Sequence, residues 1–278
     1  MLVSTADLAA HLHDPSWVIF DCRHDLLDPA KGQRLYEESH VPGARFAPVD
    51  VVLSGPKTGA NGRHPLPDPR LFAGFLSGGG VTPQSRLVAY DDVGGQFAAR
   101  LWWLVRWIGG PPVALLDGGW PKWVAEARPV SNEIPELATG GIEARSESGC
   151  LWTAAEVEER RSDPASLVVD ARAPERFRGE VEPIDPVAGH IPGAANRFFK
   201  ANLRPDLTFR PREELRREFD ALLAGRRPED VGHQCGSGIT ACVNVFAMEY
   251  AGLGGSKLYA GSWSEWIAAP ERPVARGA

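Results

Sequence analysis

The chain has 278 residues, 43% of them hydrophobic and 24% charged, which is typical of a soluble globular protein. Its formal net charge of −6 and the lack of any apolar run near the ~20 residues of a membrane span argue against a nucleic-acid or membrane partner. Four cysteines without a C-x-x-C pair and seven scattered histidines argue against a disulfide scaffold and against a metal site. Because the N-terminus lacks the basic and apolar regions of a secretory signal, we expect a cytoplasmic location.

The predicted elements alternate between helices and strands along the chain. A hydroxyl residue, Ser4 or Thr5, leads into an Ala/Leu-periodic segment and predicts the start of the first helix. Short apolar runs that end in Asp-x-Arg, at residues 18–23 and 167–172, are typical of buried parallel strands. Further helical patterns lie at residues 98–107, 212–223 and 241–250. The alternation predicts an α/β fold with parallel sheets that carry helices on both faces.

The sequence contains an internal repeat. Four motifs recur in the same order, as the pairs 2–8 and 151–157, 18–23 and 167–172, 40–44 and 190–194, and 115–123 and 258–266. An ordered set of this kind indicates a duplicated domain. Residues 131–149 contain Pro, Gly and Ser without periodicity and are predicted to be the linker. We therefore expect one domain at residues 1–135 and a second at residues 150–278.

Cys235 is the candidate nucleophile. It lies between a predicted strand and the loop that leads into helix 241–250, and Gly236 and Gly238 allow backbone angles closed to other residues. Such a strand–loop–helix directs backbone N–H groups and the positive end of the helix dipole at the sulfur, which favours an anion there. A thiolate is the nucleophilic form of cysteine. The alternative is a buried structural cysteine with incidental glycines.

The first copy of the repeat lacks this cysteine. The strands that precede the two loops can be aligned with the same residue offset that relates the motifs 115–123 and 258–266. In this alignment Asp92 corresponds to Cys235. We therefore expect the first domain to be a scaffold that covers and completes the site, without a catalytic centre of its own.

Taken together, the motifs resemble those of tandem-domain rhodaneses, the sulfurtransferase family. The resemblance rests on Asp-Ala-Arg at 170–172, Gly-His-Ile-Pro-Gly-Ala at 189–194, Cys-Gly-Ser-Gly-Ile-Thr-Ala-Cys at 235–242 and Gly-Ser-Trp-Ser-Glu-Trp at 261–266. It implies two tandem rhodanese-like domains, the second of them catalytic. The cysteine loop is similar to that of 3-mercaptopyruvate sulfurtransferases, whereas thiosulfate sulfurtransferases usually have basic residues after the cysteine.

The resemblance implies that a sulfane sulfur moves from a small-molecule donor to Cys235, giving a persulfide without a metal or organic cofactor. The sulfur then passes to cyanide, a small thiol or a reduced protein thiol. We expect the N–H groups of the loop to bind the persulfide, namely those of Gly236, Gly238, Ile239, Thr240 and Ala241. A carrier that only delivers sulfur to a partner protein is an alternative.

The resemblance also suggests residues that act on the donor. Ser237 would relay a proton, supported by His64 and Asp50 from the first domain. Arg176 matches the arginine that binds the substrate in these families.

The choice of donor stays open between mercaptopyruvate and thiosulfate. Mercaptopyruvate enzymes typically have a second arginine nine positions after the first, and here that residue is Asp185. Arg172 or Arg197 would compensate for it, although a structural ion pair is the favoured interpretation of either. Thiosulfate is a dianion and poorly suited to an uncharged loop, so mercaptopyruvate is the preferred donor.

A phosphatase activity is excluded by the same loop. Phosphatases of this fold family have an arginine after the cysteine and five further residues, and here that position is Ala241.

Overall fold

The computed structural model describes residues 1–136 and 139–277, and the chain divides into two compact units. The first unit comprises Met1–Gly55, Leu66–Glu147 and Pro205–Thr208, and the second comprises Pro56–Pro65, Ser148–Arg204 and Phe209–Ala278. The change of unit at residues 147–148 falls inside the predicted linker. No sequence pattern indicates that residues 56–65 group with the second unit.

The first unit is built on a five-stranded parallel sheet with the order β1-β5-β4-β2-β3. Its strands are Leu2–Val3 (β1), Trp17–Asp21 (β2), Arg45–Phe46 (β3), Arg86–Tyr90 (β4) and Val113–Leu116 (β5). Its helices are Thr5–Ala10 (α1), Lys31–Glu38 (α2), Pro69–Gly78 (α3), Ala98–Trp107 (α4) and Gly119–Ala125 (α5). The side chain of Ser4 accepts the N–H of Asp7 and caps α1, as the hydroxyl residue predicts.

The second unit is built on a four-stranded parallel sheet with the order β7-β6-β8-β9. Its strands are Leu167–Asp170 (β6), Ala195–Asn196 (β7), Val231–Gln234 (β8) and Lys257–Leu258 (β9). Its helices are Ala154–Arg160 (α6), Pro174–Phe177 (α7), Arg212–Leu223 (α8), Ala241–Tyr250 (α9) and Ser262–Trp266 (α10). Short 3₁₀ helices lie at Ser148–Cys150, Phe199–Asn202 and Pro228–Asp230. A parallel bridge between Leu151 and Leu258 repeats the pairing of β1 with β5, so the two units share one strand order.

The predicted α/β fold is confirmed, and α4, α8 and α9 have the bounds that the helical patterns indicate. The repeated tryptophans Trp123, Trp263 and Trp266 are fully buried on their short helices. Among the described residues, no helix is long and apolar enough to cross a membrane.

The predicted linker is held to the first unit by backbone hydrogen bonds up to residue 147, where that unit ends. The N–H of Gly141 donates to Val81, and that of Arg145 donates to Ile108, each at 2.9 Å. Residues 137 and 138 of this segment lie outside the described residues.

An Asp–Arg pair fixes the carboxyl end of one central strand in each unit. In the second unit, Arg172 contacts the Asp170 carboxylate through Nε and Nη2, at 2.7 Å for the latter, and donates to the carbonyl oxygen of Gly189. Arg23 and Asp21 repeat this arrangement in the first unit. These buried pairs hold the polar edge of each sheet, where the candidate site lies.

Candidate active site

Cys235 follows β8 at the carboxyl end of the parallel sheet, where ligands bind in folds of this kind. Its side chain is buried, and its Sγ atom accepts the N–H of Ser237 at 3.4 Å and that of Gly238 at 3.1 Å. The backbone of Cys235 is held by α10, because its N–H donates to Ser262 Oγ and its carbonyl oxygen accepts the N–H of Trp263. The sulfur therefore has a fixed position and polar donors directed at it.

Of the two glycines in the loop that follows Cys235, only Gly238 has a positive φ, whereas Gly236 lies beside an arginine side chain. Gly238 has φ +78°, and a Cβ atom there would lie 2.2 Å from the carbonyl oxygen of Ala260. A Cβ atom on Gly236 would lie 2.8 Å from Nη2 of Arg63. Ile239 and Thr240 then lead into α9, whose first residue is Ala241, so the positive end of the helix dipole is at the loop.

The strand registers identify the counterpart of Cys235 in the first unit as Asp91. Asp21 lies opposite Tyr90, as Asp170 lies opposite Gln234, so Asp91 and Cys235 both come directly after the strand. The alignment with Asp92 is therefore wrong by one residue. The cause is loop length, since residues 91–97 separate strand from helix in the first unit and only residues 235–240 do so in the second.

In the first unit, the loop after the central strand binds the carboxylate of Asp91 through backbone N–H groups. Its buried carboxylate accepts four backbone N–H groups, those of Val93 and Gly95 on Oδ1 and those of Phe97 and Ala98 on Oδ2, at 2.7–3.0 Å. Burial raises the pKa of Asp91, and the four N–H donors act in the opposite direction. The loop is therefore a cradle of amides for a negatively charged group two bonds beyond Cβ.

Ser237 and His64 are brought together in the second unit. A hydrogen bond of 2.7 Å joins Ser237 Oγ and Nδ1 of His64, and both side chains are buried. His64 reaches this position because residues 56–65 belong to the second unit. Asp50 lies in the first unit, with its Oδ2 atom 3.7 Å from Nε2 of His24.

Arg176 on α7 lies beside the loop in a network of carboxylates. It donates hydrogen bonds to the Glu182 carboxylate, from Nε to Oε2 at 3.2 Å and from Nη2 to Oε1 at 2.6 Å. Its Nη2 atom also lies 3.2 Å from Oδ2 of Asp185. A Cβ atom on Gly236 would lie 3.7 Å from Nη1 and from Nη2 of Arg176. This guanidinium is therefore next to the residue that follows Cys235.

Arg172 and Arg197 each form an ion pair with a carboxylate, the arrangement that the favoured interpretation predicts. Arg172 pairs with Asp170, and Arg197 bonds Asn202 and Glu218.

Arg63 is the residue of this site that sequence reasoning missed. Its Nη1 atom forms an ion pair with Oδ1 of Asp185, and its backbone N–H donates to Ser264 Oγ at 3.0 Å. Burial lowers the pKa of Arg63 and the charge on Cys235 raises it, but an arginine remains protonated at neutral pH. The available signals were its place next to His64 and the aspartate at position 185.

The described residues contain no group of three or more His, Cys, Asp or Glu side chains that could hold a metal ion.

A family model for the Rhodanese-like domain matches residues 4–126 and residues 153–269 of the chain. A Pseudomonas aeruginosa protein named "Probable 3-mercaptopyruvate sulfurtransferase" is 48% identical over 278 residues, covering 99% of this chain and 98% of that protein. The Arabidopsis thaliana "Thiosulfate/3-mercaptopyruvate sulfurtransferase 1, mitochondrial" is 30% identical over 303 residues, covering 98% of this chain and 77% of that protein. The solved structure of 3-mercaptopyruvate sulfurtransferase from Leishmania major superposes with a TM-score of 0.85 at 28% identity, covering 98% of this chain and 75% of that one.

Proposed function

The chain belongs to the rhodanese family of sulfurtransferases, and we propose that it moves sulfur from 3-mercaptopyruvate to cyanide or a thiol through a persulfide on Cys235. The observation that carries the proposal is the pair of N–H groups on the buried Sγ atom of Cys235. These N–H groups fix the position of the sulfur and stabilise the negative charge of a thiolate, which is the form that attacks the donor.

The first unit supplies an internal model of the persulfide. In a cysteine persulfide the terminal sulfur lies two bonds beyond Cβ, as each carboxylate oxygen of Asp91 does. The oxygens of Asp91 accept N–H groups from the loop and from the start of α4. By analogy, the terminal sulfur on Cys235 would accept N–H groups from Ile239, Thr240 and Ala241, which lead into α9.

The donor step is a nucleophilic substitution at sulfur. The Cys235 thiolate attacks the sulfur of mercaptopyruvate, an S–S bond forms, and the C–S bond breaks. The electron pair of the C–S bond goes to the carbon of the leaving group, which becomes the enolate of pyruvate. This carbon takes up the proton that the donor thiol loses, so the products are the persulfide anion and pyruvate. We assign the relay of that proton to Ser237 and His64, whose 2.7 Å hydrogen bond supports the assignment, with Asp50 as a further supporting residue.

The acceptor step returns the enzyme to its thiolate. Cyanide attacks the terminal sulfur, a C–S bond forms, the S–S bond breaks, and its electron pair remains on Cys235, giving thiocyanate. A small thiol or a reduced protein thiol reacts in the same way and becomes a persulfide.

Charge favours mercaptopyruvate over thiosulfate as the donor. Three guanidinium groups near the loop, those of Arg63, Arg172 and Arg176, are offset by the carboxylates of Asp170, Glu182 and Asp185. The cluster therefore has no excess positive charge for a dianion. It offers directional N–H donors, which suit a planar carboxylate and keto group. Thiosulfate is the second candidate, because relatives are named for both donors.

The proposal also covers the bounds of the two domains and the cellular location of the enzyme. We assign the rhodanese-like domain that lacks the catalytic cysteine to residues 1–135 and the catalytic domain to residues 150–278. We place the enzyme in the cytoplasm, a location supported by four cysteines that form no disulfide.

Steady-state formation of thiocyanate from mercaptopyruvate and cyanide tests the proposal. We expect continuous turnover, a kcat/KM higher for mercaptopyruvate than for thiosulfate, no activity in Cys235→Ser and normal activity in the control Cys150→Ser. A higher kcat/KM with thiosulfate would reverse the order of donors. A single equivalent of thiocyanate followed by arrest would indicate a carrier and overturn the assignment as an enzyme.

A further inference from the structure

We propose that Arg63 is the second carboxylate-binding residue of the donor site, acting with Arg176, and that Asp185 positions both guanidinium groups. The inference rests on the proposed function, since it concerns how the donor is held while Cys235 attacks it. It also accounts for the aspartate at the position where the resembled enzymes have an arginine.

A single buried carboxylate joins the two arginines. Oδ1 of Asp185 pairs with Nη1 of Arg63, and Oδ2 lies 3.2 Å from Nη2 of Arg176. The Asp185 side chain is only 3% exposed, whereas those of Arg63 and Arg176 are 29% and 17% exposed. The carboxylate therefore lies beneath the guanidinium groups, which retain access to a ligand.

Both guanidinium groups keep N–H donors directed at the cysteine loop. Among the described residues, the side-chain hydrogen bonds of Arg63 use Nη1 and those of Arg176 use Nε and Nη2, which leaves the other guanidinium nitrogens for a ligand. Nη2 of Arg63 lies 2.8 Å, and Nη1 of Arg176 3.7 Å, from where a Cβ atom on Gly236 would be. The missing side chain of Gly236 leaves space between these donors and the residue after Cys235.

One short segment delivers both Arg63 and His64. The backbone N–H of Arg63 donates to Ser264 Oγ, and Gly62 packs so closely on Gly261 that a Cβ atom would lie 2.6 Å from the carbonyl oxygen of Gly261. The next residue, His64, bonds Ser237. This segment thus brings the proposed carboxylate-binding group of Arg63 and the proposed proton-relay group of His64 to the same donor site.

The chemistry of the ligand follows from the charges. Asp185 and Glu182 already offset the charges of Arg63 and Arg176, so the remaining contribution to binding is the geometry of the N–H donors. A carboxylate flanked by a keto oxygen can accept from two planar guanidinium groups at once. A 2-keto acid is therefore the class of donor that this arrangement fits.

The competing explanation is that Arg63 only neutralises the buried Asp185. In that case removal of Arg63 would weaken folding, because the carboxylate would be left unpaired, and would leave binding of the keto acid unchanged.

Inhibition by pyruvate distinguishes the two explanations. Pyruvate is the product and carries the carboxylate and keto group without the transferable sulfur. For Arg63→Gln we expect the competitive inhibition constant of pyruvate and the KM for mercaptopyruvate to rise about tenfold or more, as for loss of a charge-assisted hydrogen bond. The rate constant for the reaction of preformed Cys235 persulfide with cyanide should change less than these two constants, because no carboxylate takes part in that step. Arg63→Lys should restore binding only in part, since lysine lacks the planar fork.

Arg178→Gln is the matched control, because Arg178 lies at the end of α7 and pairs with the exposed Glu180. It should leave both constants unchanged. A second variant, Asp185→Asn, retains Arg63 but removes the ion pair that positions its guanidinium group. It should therefore also weaken pyruvate inhibition.

An unchanged pyruvate inhibition constant in folded Arg63→Gln, verified by circular dichroism and thermal unfolding, would overturn the proposal. If Arg63→Gln does not fold, an unchanged constant in Asp185→Asn would do the same. The proposed function fails separately, if the wild-type enzyme forms no persulfide on Cys235.

Discussion

At the scale of single residues, the candidate site combines a buried cysteine, a hydrogen-bonded serine–histidine pair and two arginines that share one carboxylate. Cys235 is fixed by backbone contacts on both of its sides, and Ser237 is joined to His64 at 2.7 Å. His64 is only 4% exposed, so its imidazole is held in one place rather than moving in solvent. A group placed in this way contributes to proton transfer without a cost of reorganisation.

Replacement of His64 by alanine should slow the donor step much more than it weakens the fold. We expect kcat with mercaptopyruvate to fall about 10²-fold, within the usual range for a general acid–base group. Rapid-quench measurement of pyruvate release checks the rate, and thermal unfolding checks the fold. The exposed His13 provides the control His13→Ala, which should behave as wild type. A normal donor step in His64→Ala would remove this residue from the mechanism.

At the scale of elements, both units direct backbone N–H groups at the first side chain after a central strand. The second unit places sulfur there, and the first places the carboxylate of Asp91 with four N–H donors. In the first unit the charged group has become part of the fold, because removing it would leave four buried amides without an acceptor.

Asp91→Ala should therefore destabilise the protein by about 3 kcal/mol through loss of these buried hydrogen bonds. The matched control is Asp92→Ala at the neighbouring, partly exposed position, for which we expect less than about 1 kcal/mol. Chemical denaturation of both variants measures the difference. Equal losses from the two substitutions would contradict the stabilising role of the four hydrogen bonds to Asp91.

Local patterns predicted the elements well and the site only in part. The helical periodicity of residues 98–107 and 241–250 depends on neighbours in sequence, so it fixed the bounds of α4 and α9. The ion pair between Arg63 and Asp185 joins residues 122 positions apart, and no local pattern shows it. In the sequence, Asp185 occupies the position where the resembled enzymes have a second arginine. In the structure, it forms an ion pair with Arg63, which comes from another segment of the chain.

At the scale of the whole molecule, a duplicated fold carries one candidate catalytic loop. The two units share the strand order and the Asp–Arg pair at the sheet edge, which were visible as ordered repeats in the sequence. The grouping of residues 56–65 with the second unit was not visible, because it depends on tertiary contacts such as that of His64 with Ser237.

Folding stability should depend on pH through His233, which is fully buried in β8 against the sulfur of Met248. Burial lowers the pKa of His233 from 6.5 to about 3. Between these values the unfolded chain binds a proton that the folded chain does not, so stability is complete above pH 6.5 and declines as the pH falls towards 3.

We expect the free energy of unfolding of wild type to decline by up to about 1.4 kcal/mol per pH unit more than that of His233→Leu in this range. Denaturant titrations at several pH values between 4.5 and 7 measure both slopes. Identical slopes would contradict the burial effect.

Mass spectrometry of the protein after treatment with mercaptopyruvate tests the central claim most directly. The account predicts an increase of about 32 Da, mapped by peptide analysis to Cys235, removed by cyanide and absent from Cys235→Ser. A folded protein without this increase, or an increase that persists in Cys235→Ser, would contradict the account.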